Sequence, residues 1–338
     1  DYPHSIGLLY SALTQAAGYQ PNREEYIFMG LAAYGNADAL GNMLEERLVS
    51  FGKDTPLVEL KHNLHRGLKG LIPNDLDPKD LAAAGQGLYE RCLKHVLDYT
   101  WQNLPSENLV LMGGCALNCV ANTKIREWHP WKNIWIMPNP GDAGSAVGAV
   151  LSSHGLMDWQ GPYLGYNIDK AYPIAQLLRE LSKGGVAGVA NGPAEFGPRA
   201  LGNRSLLADP RIDNIKDRMN HIKKRERFRP FAAVIPLELA GGYFNMKGIS
   251  ESPYMQYAVP CVRPDLYKGI VHVDGTSRIQ TVTKTQHPGL HTLLMQWYQQ
   301  TGCPMLINTS LNVKNQPLVN DLTDARCFES LYNIPVFS

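Results

Sequence analysis

Two stretches of the sequence concentrate cationic side chains in a way that could hold phosphate. Glu195 to Ser205 carries Arg199 and Arg204 among Gly, Pro and Ala, and Asn220 to Pro230 carries Lys223, Lys224, Arg225, Arg227 and Arg229. Guanidinium groups bind phosphate or carboxylate bidentately, and a lysine supplies a mobile point charge. Gly197-Pro198 before Arg199 suits a fixed arginine better than a floppy surface one. Polar patches at Asp274–Arg278 and Asn308–Asn312 flank strand-like segments and could complete a pocket. This chemistry predicts a small phosphorylated or carboxylated substrate. The competing reading is a solvated basic face or a nucleic-acid strip. Against that reading, Phe228, Pro230 and Phe231 interrupt the run, and the 338-residue chain carries a net charge of only +1.

A second constellation consists of two glycine turns, each after a short strand. Gly113-Gly114 lets the backbone approach a ligand, and the helix that follows offers unpaired N–H groups to an anion, with Asn118 in its first turn. Pro140-Gly141-Asp142-Ala143-Gly144 repeats the pattern and adds a carboxylate placed to hold a divalent metal. The plainer readings are a tight connection for the glycines and a helix cap for Asp142.

Those residues need a scaffold. At this length two domains are the default, and the Gly, Pro and Tyr-rich stretch 159–172 reads as the linker between a domain over 1–160 and one over 161–338. Ser5–Ala17, 37–51 and 81–104 have helical patterns. Asn108–Met112 and Ile134–Met137 read as short strands, followed by helices at 116–127 and 145–152. Beyond the linker come a helix at 174–181, a strand at 186–190 and many short strands over 231–282. The fold class is α/β in the first domain and α/β to α+β in the second. Six cysteines without a C-x-x-C pair indicate ordinary thiols in a reducing, cytoplasmic enzyme; Cys115 and Cys119 lack the other half of a zinc site. No apolar run approaches the roughly 18 residues of a membrane span. The chain opens Asp1-Tyr2-Pro3-His4 without a Met, and both ends read as cuts through a larger protein.

Taken together, the motifs resemble a known family. EFGPRALGNRSLLADPR (195–211), KKRERFRPF (223–231), HVDGTSRIQTV (272–282) and INTSLNVKNQPLV (307–319) are similar to the C-terminal domain of the carbamoyltransferases, which include nodulation-factor and antibiotic-tailoring O-carbamoyltransferases. YIFMGLAAYG (26–35), LMGGCALN (111–118) and PNPGDAGSAVGA (138–149) resemble the second half of their N-terminal domain. The resemblance covers nearly the whole chain. It implies the second lobe of an actin/hexokinase/Hsp70-like (Kae1-like) fold followed by a YrdC-like α/β domain. The implied YrdC-like activity combines carbamoyl phosphate with ATP to give carbamoyl adenylate and pyrophosphate. The Kae1-like domain then passes the carbamoyl group to the hydroxyl of a small-molecule acceptor. Carried across by motif, Arg199, Lys223, Arg229 and Arg278 are the catalytic cations. Glu195, Arg204, Asp274, Asn308 and Ser310 complete the carbamoyl-phosphate and ATP pocket. Gly113, Gly114, Asn118 and Gly144 contact the adenylate, and Asp142 is the metal ligand. The implied cofactors are ATP, Mg for the ATP, and Fe or another divalent ion in the Kae1-like domain. A homodimer is left open.

Two departures from the family pattern matter. The family's histidine-rich metal motif is not reproduced by His4-Ser5-Ile6, and His62 and His65 are poor substitutes in a basic surface stretch. The lysine that often precedes Met-Gly-Leu-Ala is replaced by Ile27-Phe28. The alternatives weighed are synthesis of threonylcarbamoyl-adenosine in tRNA, which uses the same two domain types, and a non-catalytic nucleic-acid-binding module.

Overall fold

The computed structural model describes residues 2–338 and divides into two compact units, Asp1–Trp135 and Ile136–Ser338. The division falls earlier than the 160/161 boundary read from the sequence.

The first unit is organised around the helix Pro78–Asn103. Its start is set by local chemistry: the Asp77 carboxylate accepts the Lys79 N–H at 2.7 Å, and Pro78 occupies the first helical turn, where a missing N–H costs nothing. Leu81, Ala84, Leu88, Cys92 and other residues at helical spacing are buried. Gly85 is required by packing, because a Cβ there would meet Phe28 Cζ at 2.9 Å. The helix Ile6–Ala16, capped by Ser5, belongs to the same layer; Tyr10 donates to Gln86 Oε1 at 2.7 Å. The strands Asn108–Val110 and Asn133–Trp135 pair in parallel. The helical pattern over 37–51 is only partly realised: Gly41–Leu48 is helix, while Val49–Phe51 pairs antiparallel with Val58–Leu60. Val49 is β-branched and ends the helix where a partner strand is available.

The second unit contains a mixed seven-stranded sheet. Its order is Tyr257–Pro260, Thr276–Val282, Ala232–Pro236, Leu306–Ser310, Arg204–Ala208, Ala187–Ala190 and Val336–Phe337. Two neighbour pairs are parallel, Thr276–Val282 with Ala232–Pro236 and Val336–Phe337 with Ala187–Ala190; the others are antiparallel. The helices Ile174–Ser182 and Pro288–Thr301 share a core with it, where Leu177, Leu181, Leu290, Leu294 and Trp297 pack with Val189, Leu207, Val234 and Leu306. Each such side chain contributes roughly 1.5–3 kcal/mol on burial. The stretch read as a linker holds a strand instead: Tyr163–Ile168 pairs antiparallel with Gly192–Glu195. Its glycines and prolines masked the short run of strand-forming residues; Gly165 is needed because a Cβ would meet Ala194 Cβ at 2.9 Å.

Candidate active site

Lys223 is a deeply buried charged candidate, 4% exposed at the end of the helix Ile215–Ile222. Its Nζ donates to the Ser310 carbonyl at 2.5 Å, to Ser310 Oγ at 3.1 Å and to Asn312 Oδ1 at 2.7 Å. Ser310 Oγ donates in turn to Asn312 Oδ1 at 2.7 Å. The backbone is locked as well, since Lys314 N–H donates to the Lys223 carbonyl. Burial pushes the Lys223 ammonium well below the ordinary lysine range, and the positive charges of Arg225 and Arg229 push it further. Three neutral oxygens hold the ammonium in place, and an anion brought to it would relieve the cationic crowding. Arg229 sits in the same loop, its Nη1 3.4 Å from Glu226 Oε2, and Glu226 also pairs with Lys314.

The loop between Glu195 and Arg204 is built as a rigid support. Glu195 Oε1 accepts the backbone N–H groups of Leu201 at 2.8 Å, Asn203 at 2.7 Å and Arg204 at 3.2 Å. The Gly202 N–H goes to Ser205 Oγ. The carbonyls are fixed by side chains: Ala200 by Asn308 Nδ2, Leu201 by Gln280 Nε2 and Tyr163 OH, Gly202 by Tyr172 OH. Asn203 holds His287 Nε2 at 2.8 Å, and burial depresses the His287 pKa to about 4, so the imidazole is neutral. Residues 200–204 are thereby fixed, and Arg199, partly buried, leads directly into them.

Arg204 does not match the phosphate role expected from the sequence. It is fully buried, and its guanidinium is spent on carbonyls: Nε and Nη2 on Asn320, Nη1 on Asn191, Gly192 and Asn203, Nη2 on Tyr166. Every N–H is committed to the backbone, so Arg204 positions the loop. Glu195 has the same character, and Asn308 clamps Ala200 while bonding Gln280 Oε1 at 2.6 Å. Asp274 is exposed and closes a turn, its Oδ1 accepting from Thr276 N and Oγ1. Arg278 lies two residues before Gln280 on one strand, and Ser310 two residues after Asn308 on another. Alternate residues share a sheet face, so the Asn308–Gln280 bond puts both pairs on the same side. Sequence reasoning missed Asn312, Gln280, His287, Tyr163 and Tyr172; only Asn312 and Gln280 carried a signal, lying within the polar patch after Asn308 and the motif 272–282.

The glycine turns separate into two kinds. Gly113 has φ +90 and Gly114 an ordinary φ, and a Cβ at either would meet nothing within 4 Å. Their open surroundings suit a ligand better than a packing requirement. Gly144 is buried, and its Cβ would lie 1.9 Å from the Asn139 carbonyl oxygen, so packing alone demands glycine. Gly197 similarly abuts the Pro138 carbonyl, which brings the turn 138–144 beside the loop 195–204 within the second unit. Asn118 caps the helix Cys119–Trp128 through Ala121 N and is buried against Gln86, a structural task.

Asp142 is exposed at the start of a single helical turn. Among the described residues no group of three or more His, Cys, Asp or Glu side chains could hold a metal ion. Cys115 and Cys119 are free thiols, and burial raises the Cys115 pKa. Among the described residues no helix is long and apolar enough to cross a membrane.

Two family models account for most of the sequence: Carbamoyltransferase N-terminus over residues 1–151 and Carbamoyltransferase C-terminus over 178–334. The chain belongs to the carbamoyltransferase family. The unmatched residues 152–177 contain the Gly, Pro and Tyr-rich stretch. Among its relatives, the uncharacterized protein sll1178 of Synechocystis is 35% identical over 97% of this chain and 65% of its own length. Nodulation protein NolNO of Sinorhizobium fredii is 34% identical, covering 95% of this chain and 52% of its own length. The 3'-hydroxymethylcephem-O-carbamoyltransferase of Streptomyces clavuligerus is 31% identical over 96% of this chain and 65% of its own length. The chain thus spans between about half and two thirds of these relatives. Its described residues form a mixed α/β architecture with one large mixed sheet.

Proposed function

We propose that the second unit, as a YrdC-like domain, activates carbamoyl phosphate with ATP, and that the carbamoyl group then goes to a hydroxyl of a small molecule. The observation that carries this reading is the Lys223–Ser310–Asn312 cluster beside Arg229. A buried ammonium whose three donors are held by oxygens supplies a fixed positive charge near guanidinium groups, suited to attracting a dianionic phosphate and offsetting charge as phosphates depart. Ser310 O, Ser310 Oγ and Asn312 orient Lys223. The support built by Glu195, Arg204, Gln280 and Asn308 presents Arg199, and Arg278 lies on the strand Thr276–Val282, one strand removed from Leu306–Ser310.

The step balances as follows. Water takes the phosphoryl group of carbamoyl phosphate, releasing inorganic phosphate and carbamate. The carbamate oxygen attacks the α-phosphorus of ATP, and pyrophosphate leaves with the electron pair of the broken P–O bond. The resulting mixed anhydride has a good leaving group, so an alcohol oxygen displaces AMP and loses its proton to solvent. Gly113 and Gly114, with open space around them, are assigned the adenylate in a Kae1-like first unit. The relative named 3'-hydroxymethylcephem-O-carbamoyltransferase supports an O-linked product. Mass spectrometry tests the reading: carbamoyl phosphate and ATP should give carbamoyl adenylate and, with a suitable alcohol, its carbamate. A requirement for threonine or tRNA would replace it with the threonylcarbamoyl alternative.

A further inference from the structure

The loop that carries Lys223 inward turns its next residues outward. Lys224 has φ +51, a left-handed conformation uncommon for a side chain of this kind, and it is exposed where Lys223 is buried. On this outer side lies a cavity of about 480 Å³, lined by Arg218, His221, Lys224, Arg225, Arg227 and a single carboxylate, Asp217. This volume lies within the usual range of small-molecule sites, roughly 300–1,000 Å³.

The cavity wall is ordered by specific contacts. Asn220, fully buried, donates through Nδ2 to the carbonyls of Arg227 and Arg229, each at 3.1 Å. Its Oδ1 accepts Arg225 Nε at 2.6 Å, and the Arg225 guanidinium lies 4.2 Å over the Phe231 ring. Arg218 Nη1 donates to the Gly184 carbonyl at 2.8 Å, and Lys224 Nζ stands 5.3 Å over the Tyr332 ring. Arg218, Lys224 and Arg225 are therefore held in place, and with the exposed Arg227 four cations line one concavity against one carboxylate. The crowding is visible beyond the cavity: after burial, the charge of Arg225 lowers the proton affinity of Lys223, and it lowers that of Lys216 behind burial and against the larger, raising effect of Asp217. A multiply charged anion is the ligand that would offset such an arrangement.

We infer that this cavity is a second anion site, separate from the Lys223–Ser310–Asn312 cluster, and that it takes a polyphosphate such as pyrophosphate or the phosphate tail of a nucleotide. The inference goes beyond the proposed function, since it assigns a site on the other side of the 223–229 loop. Convergence on one concavity favours a compact ligand over an extended nucleic-acid strand.

Calorimetric titration with pyrophosphate at about 0.15 M salt tests it. In a chain carrying Lys223→Ala, one saturable pyrophosphate site is expected to remain, and adding Lys224→Ser with Arg227→Ser should weaken it by roughly tenfold or more. In the otherwise unchanged chain, the same outer pair of substitutions should cost one pyrophosphate of the bound total, with the unfolding midpoint retained. This binding readout does not depend on whether carbamoyl phosphate is activated. Binding indifferent to the outer pair would overturn the assignment. So would single-stranded RNA binding tightly through Lys224 and Arg227 while pyrophosphate fails to compete.

Discussion

Lys223 and Asn312 meet side chain to side chain, Nζ to Oδ1 at 2.7 Å, across 89 residues of sequence. The helix end at Ile222 delivers the lysine, and the strand Leu306–Ser310 with the turn after it delivers the oxygens, so the cluster exists only in the folded second unit. Because burial and two neighbouring arginines depress its pKa, this ammonium loses its proton at lower pH than an ordinary lysine. The alkaline limb of kcat/KM for carbamoyl phosphate is therefore expected below the usual lysine range. A rate that stays level until about pH 10.4, the unperturbed lysine value, would show that Lys223 is not the titrating group.

Arg204 should matter for stability. Arg204→Met removes the donors of five backbone carbonyls in a buried setting, and a loss of about 3 kcal/mol or more is expected in urea unfolding. Arg204→Lys keeps the charge with fewer donors and should fall between the two. If the variants unfold at the wild-type midpoint, the positioning role is wrong.

His287 makes the fold acid-sensitive. Its folded pKa of about 4 lies below the unfolded value of 6.5, so the unfolded chain takes the proton first. The stabilisation is present in full above pH 6.5 and is lost as pH falls through 4, a contribution of about 3 kcal/mol. Unfolding free energy measured across that window should flatten in His287→Gln relative to the parent.

The glycines should divide by cause. Gly144→Ala forces a Cβ onto the Asn139 carbonyl and is expected to cost about 2–3 kcal/mol. Gly114→Ala has open space and an ordinary φ, so stability should stay within about 0.5 kcal/mol while transfer to the alcohol slows. Thermal unfolding of the two variants side by side distinguishes these cases.

Much of this was legible in the chain because patterns local to the sequence have local causes. The long helix announced itself by period and by Asp77-Pro78, and the cationic loop by its composition. What composition could not convey is where each cation's hydrogens go. Arg199 and Arg204 read alike, five residues apart in one motif, yet Arg204 is consumed by carbonyls from Tyr166 to Asn320. Glu195, Asn308 and Gln280 likewise became supports only through pairings made by the tertiary fold. The strand Tyr163–Ile168 was hidden because glycines and prolines resemble a linker until a partner strand is supplied. The helix cap read for Asp142 is not formed: the residue is exposed within its turn, and the helix Ser145–His154 has no side-chain cap.

The most direct measurement is exchange of labelled pyrophosphate into ATP. The account predicts exchange that requires carbamoyl phosphate and disappears in Lys223→Ala and in Arg199→Ala. Exchange independent of carbamoyl phosphate, or undiminished in both variants, would contradict the activation site assigned to this loop.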